Sequence, residues 1–250
     1  MRFASVILLL AGAIACSGGL FQEYEYEEEL YLAVDGSATL YVNSSLDALN
    51  ALRGTAFDTA ADGGLPISGL TEYYTSAATR VTRVTDSERN GRLYAHLRID
   101  VDDVRRLDET RPFEWSVYEF EAEGELLRFE QTVGASTKGA AAAAWDGGET
   151  VAFRVHVPSR IRFHNAGEGN LRRGNILVWE QPLAARLEGV PLEMDVRIEQ
   201  ESILNQTLGL FGLSILAVAA GFGVLLIWLL RRPAVTRLDD SQSDGPRLRI

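Results

Sequence analysis

Cysteine is nearly absent from this sequence. Cys16 is the only one in 250 residues, so no disulfide can form within the chain, and any exported domain must be held by its core alone. Lysine is scarce as well: Lys138 is the single lysine among 24 basic residues, a compositional bias that carries no mechanism. There are three histidines, His96, His156 and His164. His156 and His164, eight residues apart on different predicted strands, are a conceivable pair, but there is no cysteine cluster and no His-x-x-x-His spacing to signal zinc. Serine-hydrolase elbows, Walker loops and dinucleotide-binding glycine fingerprints are missing too. Gly167-Glu168-Gly169 is too short to cradle a phosphate. The sequence therefore carries no catalytic set and no cofactor signature, and it reads as a protein that is not an enzyme.

Positive charge is also in deficit, with a formal net charge of −11. Arg2, Arg231, Arg232, Arg237, Arg247 and Arg249 lie at the two ends, as do Asp239, Asp240 and Asp244. The region between is left with 18 basic and 32 acidic residues, a balance of −14. So acidic a surface argues against nucleic acid as a partner, and against bulk electrostatic adhesion to anionic headgroups.

The chain does contain one long uncharged run, residues 208–230 (LGLFGLSILAVAAGFGVLLIWLL), which has 23 residues. At about 1.5 Å per residue it reaches roughly 34 Å, enough to cross a hydrocarbon core of about 30 Å. The last charge before it is Glu201, and Arg231-Arg232 follow at once, with Trp228 near that basic end. A basic flank on the cytoplasmic side and an interfacial indole are the usual marks of a membrane span. Ala217-x-x-x-Gly221 and Ala219-x-x-x-Gly223 put small residues on one helix face, a spacing that permits dimerisation; the oligomeric state stays open.

At the other end, Met1-Arg2 and the apolar stretch 3–14 make a signal-peptide pattern too short for a comfortable span. Small residues at Ala13 and Ala15 predict cleavage before Cys16. The stretch AIAC-SGG resembles a bacterial lipobox, in which that cysteine carries lipid. The alternatives are an ordinary cleaved signal and an uncleaved anchor. The expected organisation is a signal peptide 1–15, an extracytoplasmic domain 16–203, a transmembrane helix 204–230 and a cytoplasmic, disordered tail 231–250, with an internal break at 134–148 as an option.

The exported region reads as short strands and turns. Tyr24 and Tyr26 alternate with glutamates, a period-two pattern. Asp35-Gly36 turns the chain into a strand over 38–42. The cluster Glu23, Glu25, Glu27, Glu28 and Glu29 is read as a solvated strand face, because the glycine turn and ligand spacing of a calcium loop are absent. Ser44-Ser45 caps a helix over 46–53, with Leu46, Leu49 and Leu52 on one face and Gly54 ending it. Residues 55–68 read as a Gly- and Ala-rich loop, and a second helix or turn covers 70–78. Asn90-Gly91 joins strands over 79–85 and 92–101. Residues 102–108 suggest a helical turn with Asp102 as cap. Strands over 113–121 and 126–133 turn at Glu123-Gly124. Further strands are expected over 151–157, 160–163, 175–180 and 192–199. The fold class is α+β: antiparallel hairpins with two or three short helices, plus one C-terminal transmembrane helix. Trp115, Phe120, Phe129 and Trp179 are candidates to line a ligand cavity, the alternative being an ordinary core.

Several short motifs, taken with the layout, resemble bacterial envelope proteins of the LppM type. They are the lipobox-like Cys16, Asp35-Gly36-Ser37, Val157-Pro158, Asn165-Ala166-Gly167, Gly174-Asn175 and Val178-Trp179, closed by a single span and basic residues. Pro158-Ser159 stands where that family usually has Pro-Gly. The resemblance implies lipid or envelope binding and no enzyme chemistry. The leading expectation is thus a membrane-anchored binding protein of the bacterial envelope, its partners the membrane and a lipid or envelope protein. The alternative is a structural or assembly subunit of a membrane complex.

Overall fold

A computed structural model of the chain describes residues 24–60, 63–136, 145–167, 171–172, 175–200 and 203–231. Residues 1–15 (the expected signal peptide), Cys16, Glu23 and the tail beyond Arg231 lie outside the described residues, and so does most of the 134–148 stretch. Two compact units divide the chain at Met1–Leu204 and Asn205–Ile250.

The first unit is α+β and built on two sheets. The strands of the larger sheet are β1 (Tyr26–Leu32), β2 (Ala38–Ser45), β3 (Thr79–Arg89), β4 (Arg92–Val101), β7 (Thr150–His156), β9 (Leu171–Arg172) and β10 (Ile176–Pro182). Their order is β3-β4-β2-β1-β7-β10-β9. The smaller sheet contains β5 (Ser116–Glu123), β6 (Leu126–Val133), β8 (Ile161–His164) and β11 (Leu192–Glu199), in the order β5-β6-β11-β8. The smaller sheet is antiparallel throughout. The larger one is not made of hairpins alone, because β1 pairs parallel to β7 and Tyr26 stands opposite Val151. A parallel pair requires a long crossover, and here it takes up everything between the two strands, including β5 and β6 of the other sheet.

Turn chemistry sets much of the register. Asn90 and Gly91 both take positive φ, 52° and 73°, the backbone that a two-residue hairpin between twisted strands needs. One extra residue, Thr82, sits in β3 where the register shifts between Val81 and Arg83. Helix α1 (Leu46–Arg53) begins at Ser45, whose hydroxyl accepts from the Ala48 N–H at 3.1 Å, and ends at Gly54 with φ 63°. Helix α2 (Ile67–Tyr74) begins earlier than the 70–78 expected. Residues 104–106 form a 3₁₀ turn capped by Asp103, not Asp102: the Asp103 carboxylate accepts from the Arg105 N–H. The stretch after β10 forms helix α3 (Leu183–Glu188).

One core joins both sheets and α1, with Tyr26, Leu40, Leu49, Phe113, Phe129, Phe153 and Leu177 at its centre. Strand β1 separates its two faces sharply. Tyr26, Glu28, Leu30 and Leu32 point into the core, while Glu27, Glu29 and Tyr31 point away from it. Helix α4 (Ile203–Arg231), 29 residues long, makes up the described residues of the second unit from Asn205 onward. Its stretch Phe211–Arg231 has a mean hydropathy of 2.5 and none of it is buried, so by length and composition it can cross a bilayer.

Candidate functional site

The four aromatic residues singled out from the sequence all belong to the packed core. Phe129 is fully buried, and Trp115, Phe120 and Trp179 are nearly so. The Trp115 ring meets Tyr26 edge-on at 5.5 Å and tilts against Phe153 at 6.0 Å. The Trp179 indole N–H donates to Asn165 Oδ1 at 3.1 Å, which ties β10 of the large sheet to the loop after β8. The structure thus brings Trp115 into an aromatic cluster with residues of β1 and β7, and the concave surfaces described below are lined by other residues.

The acidic segment differs from the expected solvated face. Glu25, Glu27 and Glu28 are buried, Glu28 to 4 % exposure. Glu28 Oε1 accepts from the Tyr26 hydroxyl at 2.6 Å. Burial raises its carboxyl pKa from the ordinary value, only partly offset by the Tyr26 hydrogen bond and by the Arg53 charge. Beside it, the Gln131 amide donates to the Tyr118 hydroxyl at 3.2 Å. A void of about 10 Å³ opens among Glu28, Tyr118, Gln131 and their apolar neighbours, the size of a single water.

Across the strand, the outward glutamates are paired. Glu25 Oε1 accepts from Arg92 Nη1 and from the Tyr94 hydroxyl, both at 2.7 Å. Glu27 meets Arg154 at 3.0 Å and accepts from the Asn43 amide at 3.0 Å. Glu29 Oε1 lies 2.6 Å from His156 Nε2, and Tyr31 stacks on that imidazole at 3.8 Å. Burial opposes ionisation of Glu29, but the His156 contact, together with Arg154 and Tyr31, outweighs it and lowers the carboxyl pKa. The period-two pattern was legible in the sequence. These partners were not, since they come from β2, β4 and β7.

His156 sits on the large sheet and His164 on the small one, where β8 pairs with β11. Among the described residues no group of three or more His, Cys, Asp or Glu side chains could hold a metal ion.

A cleft of about 590 Å³ lies where the sequence offered only packing and a loop. Its walls are the end of α1 with 54–57, the outer turn of α2 and residues 109–112. Asn50 shapes the first wall: its Oδ1 accepts from the Thr55 hydroxyl at 2.7 Å and the Phe57 N–H at 2.9 Å, and its amide donates to the Phe57 carbonyl at 2.8 Å. Gly69 lets the Phe57 ring lie on α2, since a Cβ there would meet Phe57 Cε1 at 3.1 Å. Phe57 meets Tyr73 edge-on at 6.2 Å, and the Arg111 guanidinium lies 5.6 Å from the Tyr73 ring centroid. Buried Arg53 fixes the opposite wall by donating from Nε to the Pro112 carbonyl at 3.0 Å. Volume and mixed lining fall within the range of small-molecule sites. The signal that could have found it is Asn50 followed by Thr55 and Phe57, an Asx-type pattern, with aromatic Tyr73 on the next helix.

No family model matches this chain, and no curated protein matches it. Among solved structures it is similar to the folded domain of the LppM protein of Mycobacterium tuberculosis, with a TM-score of 0.40 and 13 % identity, over 73 % of this chain and 94 % of that one.

Proposed function

We propose that this is a non-enzymatic, membrane-anchored protein of the bacterial envelope that binds a lipid or another envelope ligand. In this reading residues 1–15 are a cleaved signal, Cys16 carries lipid, the strand-rich domain lies outside the cytoplasm, and the tail after the span lies inside. One observation supports it above the rest: a 21-residue apolar stretch, Phe211–Arg231, long enough to cross a bilayer and not buried, follows in the chain a domain that has a core of its own. An exposed apolar surface of that size finds its solvent in a bilayer.

We assign the ligand to the cleft walled by Phe57, Tyr73 and Arg111. Trp115, Phe120, Phe129 and Trp179 are buried among core neighbours, whereas the cleft is open and its aromatic walls are held by Asn50 and Arg53. The test is native mass spectrometry of the full chain released from membranes. A bound lipid-sized mass that is lost in Tyr73→Ala supports the reading, and intact mass of the same sample reports acylation of Cys16. A ligand-free chain that also ignores added lipid rejects it. A stoichiometric membrane protein in its place favours the assembly-subunit alternative.

A further inference from the structure

The outer face of the large sheet carries two arginines that the chain itself does not neutralise. Arg83 on β3 and Arg98 on β4 are register partners, and both are exposed. Like charges directly opposite on neighbouring strands are destabilising. The bulge at Thr82 creates this apposition. Val81 pairs with Ile99 on the core side, and without an extra residue Arg83 would share the inward face of Val81. With Thr82 inserted, Val84 takes the core position opposite Leu97, and Arg83 turns outward to meet Arg98. Bulges commonly re-aim a side chain in this way.

The chain has carboxylates nearby, yet it spends them elsewhere. Glu29 is engaged by His156 at 2.6 Å, and Asp100 by Arg80 at 3.0 Å. Among the described residues neither Arg83 nor Arg98 has an ion-pair partner. In a chain of net charge −11, an unrelieved arginine pair is a local exception with the sign to attract an anion. Next in the same row comes Tyr41, register partner of both Arg98 and Glu29, with the Arg98 guanidinium 5.9 Å from its ring centroid. Tyr41 meets Tyr31 edge-on at 5.5 Å, and Tyr31 is 41 % exposed and backed by His156. Guanidinium forks recognise carboxylate or phosphate, and adjacent aromatic rings offer apolar area to the C–H face of a sugar ring.

We propose that this face, centred on Arg83, Arg98, Tyr41 and Tyr31, is a binding site for an anionic polysaccharide. The anion is a carboxylate or a phosphate borne by the sugar chain. The site lies on a different face from the cleft and stands or falls independently of lipid binding there.

The test uses the full chain in nanodiscs of phosphatidylcholine. Three polymers of matched length are titrated: polygalacturonate, phosphorylated dextran and neutral dextran. At least one anionic polymer binds, dextran does not, and whichever anionic polymer binds more tightly identifies the anion. Added salt weakens the binding. Arg83→Gln/Arg98→Gln loses about tenfold in affinity or more, a change of 1.4 kcal/mol per factor of ten. Its thermal midpoint stays level or rises, because two like charges at opposite register positions have been removed; a purely structural role would lower it. Tyr41→Leu weakens binding with the charge left intact. Failure of both anionic polymers to bind overturns the proposal, as does undiminished binding by the double variant. Loss in the double variant of affinity for phosphatidylglycerol vesicles, with no polymer bound, overturns it in favour of a membrane surface.

Discussion

Strand β1 places three consecutive glutamates in three environments. Glu28 points into the core, where burial raises its carboxyl pKa. Glu27 and Glu29 point outward: Glu27 is still raised by burial despite Asn43 and Arg154, and Glu29 is lowered by its His156 contact. Their residue type is identical, so the difference belongs wholly to the neighbours that the sheet supplies. On the inner face those neighbours are aromatic rings, an amide and a single-water void. On the outer face they are guanidiniums and an imidazole. The inner face therefore holds its carboxylate among core neighbours, whereas the outer face pairs its carboxylates with basic side chains.

Breaking the inner face has the largest effect. Phe129→Ala removes a fully buried ring from the centre of the core and lowers stability by about 3–5 kcal/mol, measured by chemical denaturation. If Phe129 instead bordered an open ligand cavity, the loss would be small and would shrink further on adding lipid.

Arg186 comes next. It is fully buried and donates to the carbonyls of Val133 at 3.2 Å, Gly134 at 2.7 Å and Val190 at 2.6 Å. Arg186→Met leaves these acceptors without their donor and lowers stability by about 3 kcal/mol. Thermal unfolding gives the answer, and an unchanged midpoint would remove Arg186 from the list of residues that hold α3 to β6.

The pH profile sharpens the contrast within β1. Glu28 has a raised carboxyl pKa in the fold, so the folded state keeps its proton to higher pH than the unfolded chain. Its contribution is fully present below the ordinary glutamate value of 4.5 and is lost as pH rises through the raised value. Glu28→Gln cannot titrate, so its stability should vary less over that interval than that of the wild type. Equal slopes for the two proteins would show that Glu28 is not desolvated.

Glu29 has the opposite sign and a smaller effect. Its lowered carboxyl pKa stabilises the fold above 4.5, and this is lost as pH falls through the lowered value. Glu29→Gln removes that acid limb. At neutral pH the cost is about 1 kcal/mol or less, as for other partly exposed pairs. A loss as large as that of Phe129→Ala would mean the outer face is as structural as the inner one.

Local signals in the sequence carried most of the elements. Ser45 and Gly54 bound α1, Asn90-Gly91 makes its turn, and the apolar run 208–230 falls within α4. What depends on distant partners was hidden. Nothing in β1 alone says that it pairs parallel with β7, or that Glu28 faces Gln131 of the other sheet. The cluster at 25–29 looked solvated because period-two alternation cannot tell a polar face from a buried carboxyl with partners. Likewise the aromatics Trp115, Phe120, Phe129 and Trp179 look the same on paper whether they fill a core or line a cavity. The cleft escaped notice because its walls come from three separated segments.

The account turns on which side of the membrane the strand-rich domain occupies. In a Cys16→Ser background, Glu121→Cys on the exposed outer face of β5 and Ser241→Cys in the tail can each be probed with a membrane-impermeant maleimide on intact cells. The account predicts that Glu121→Cys is labelled at once and Ser241→Cys only after lysis. Labelling of Ser241→Cys on intact cells, or protection of Glu121→Cys, would contradict it.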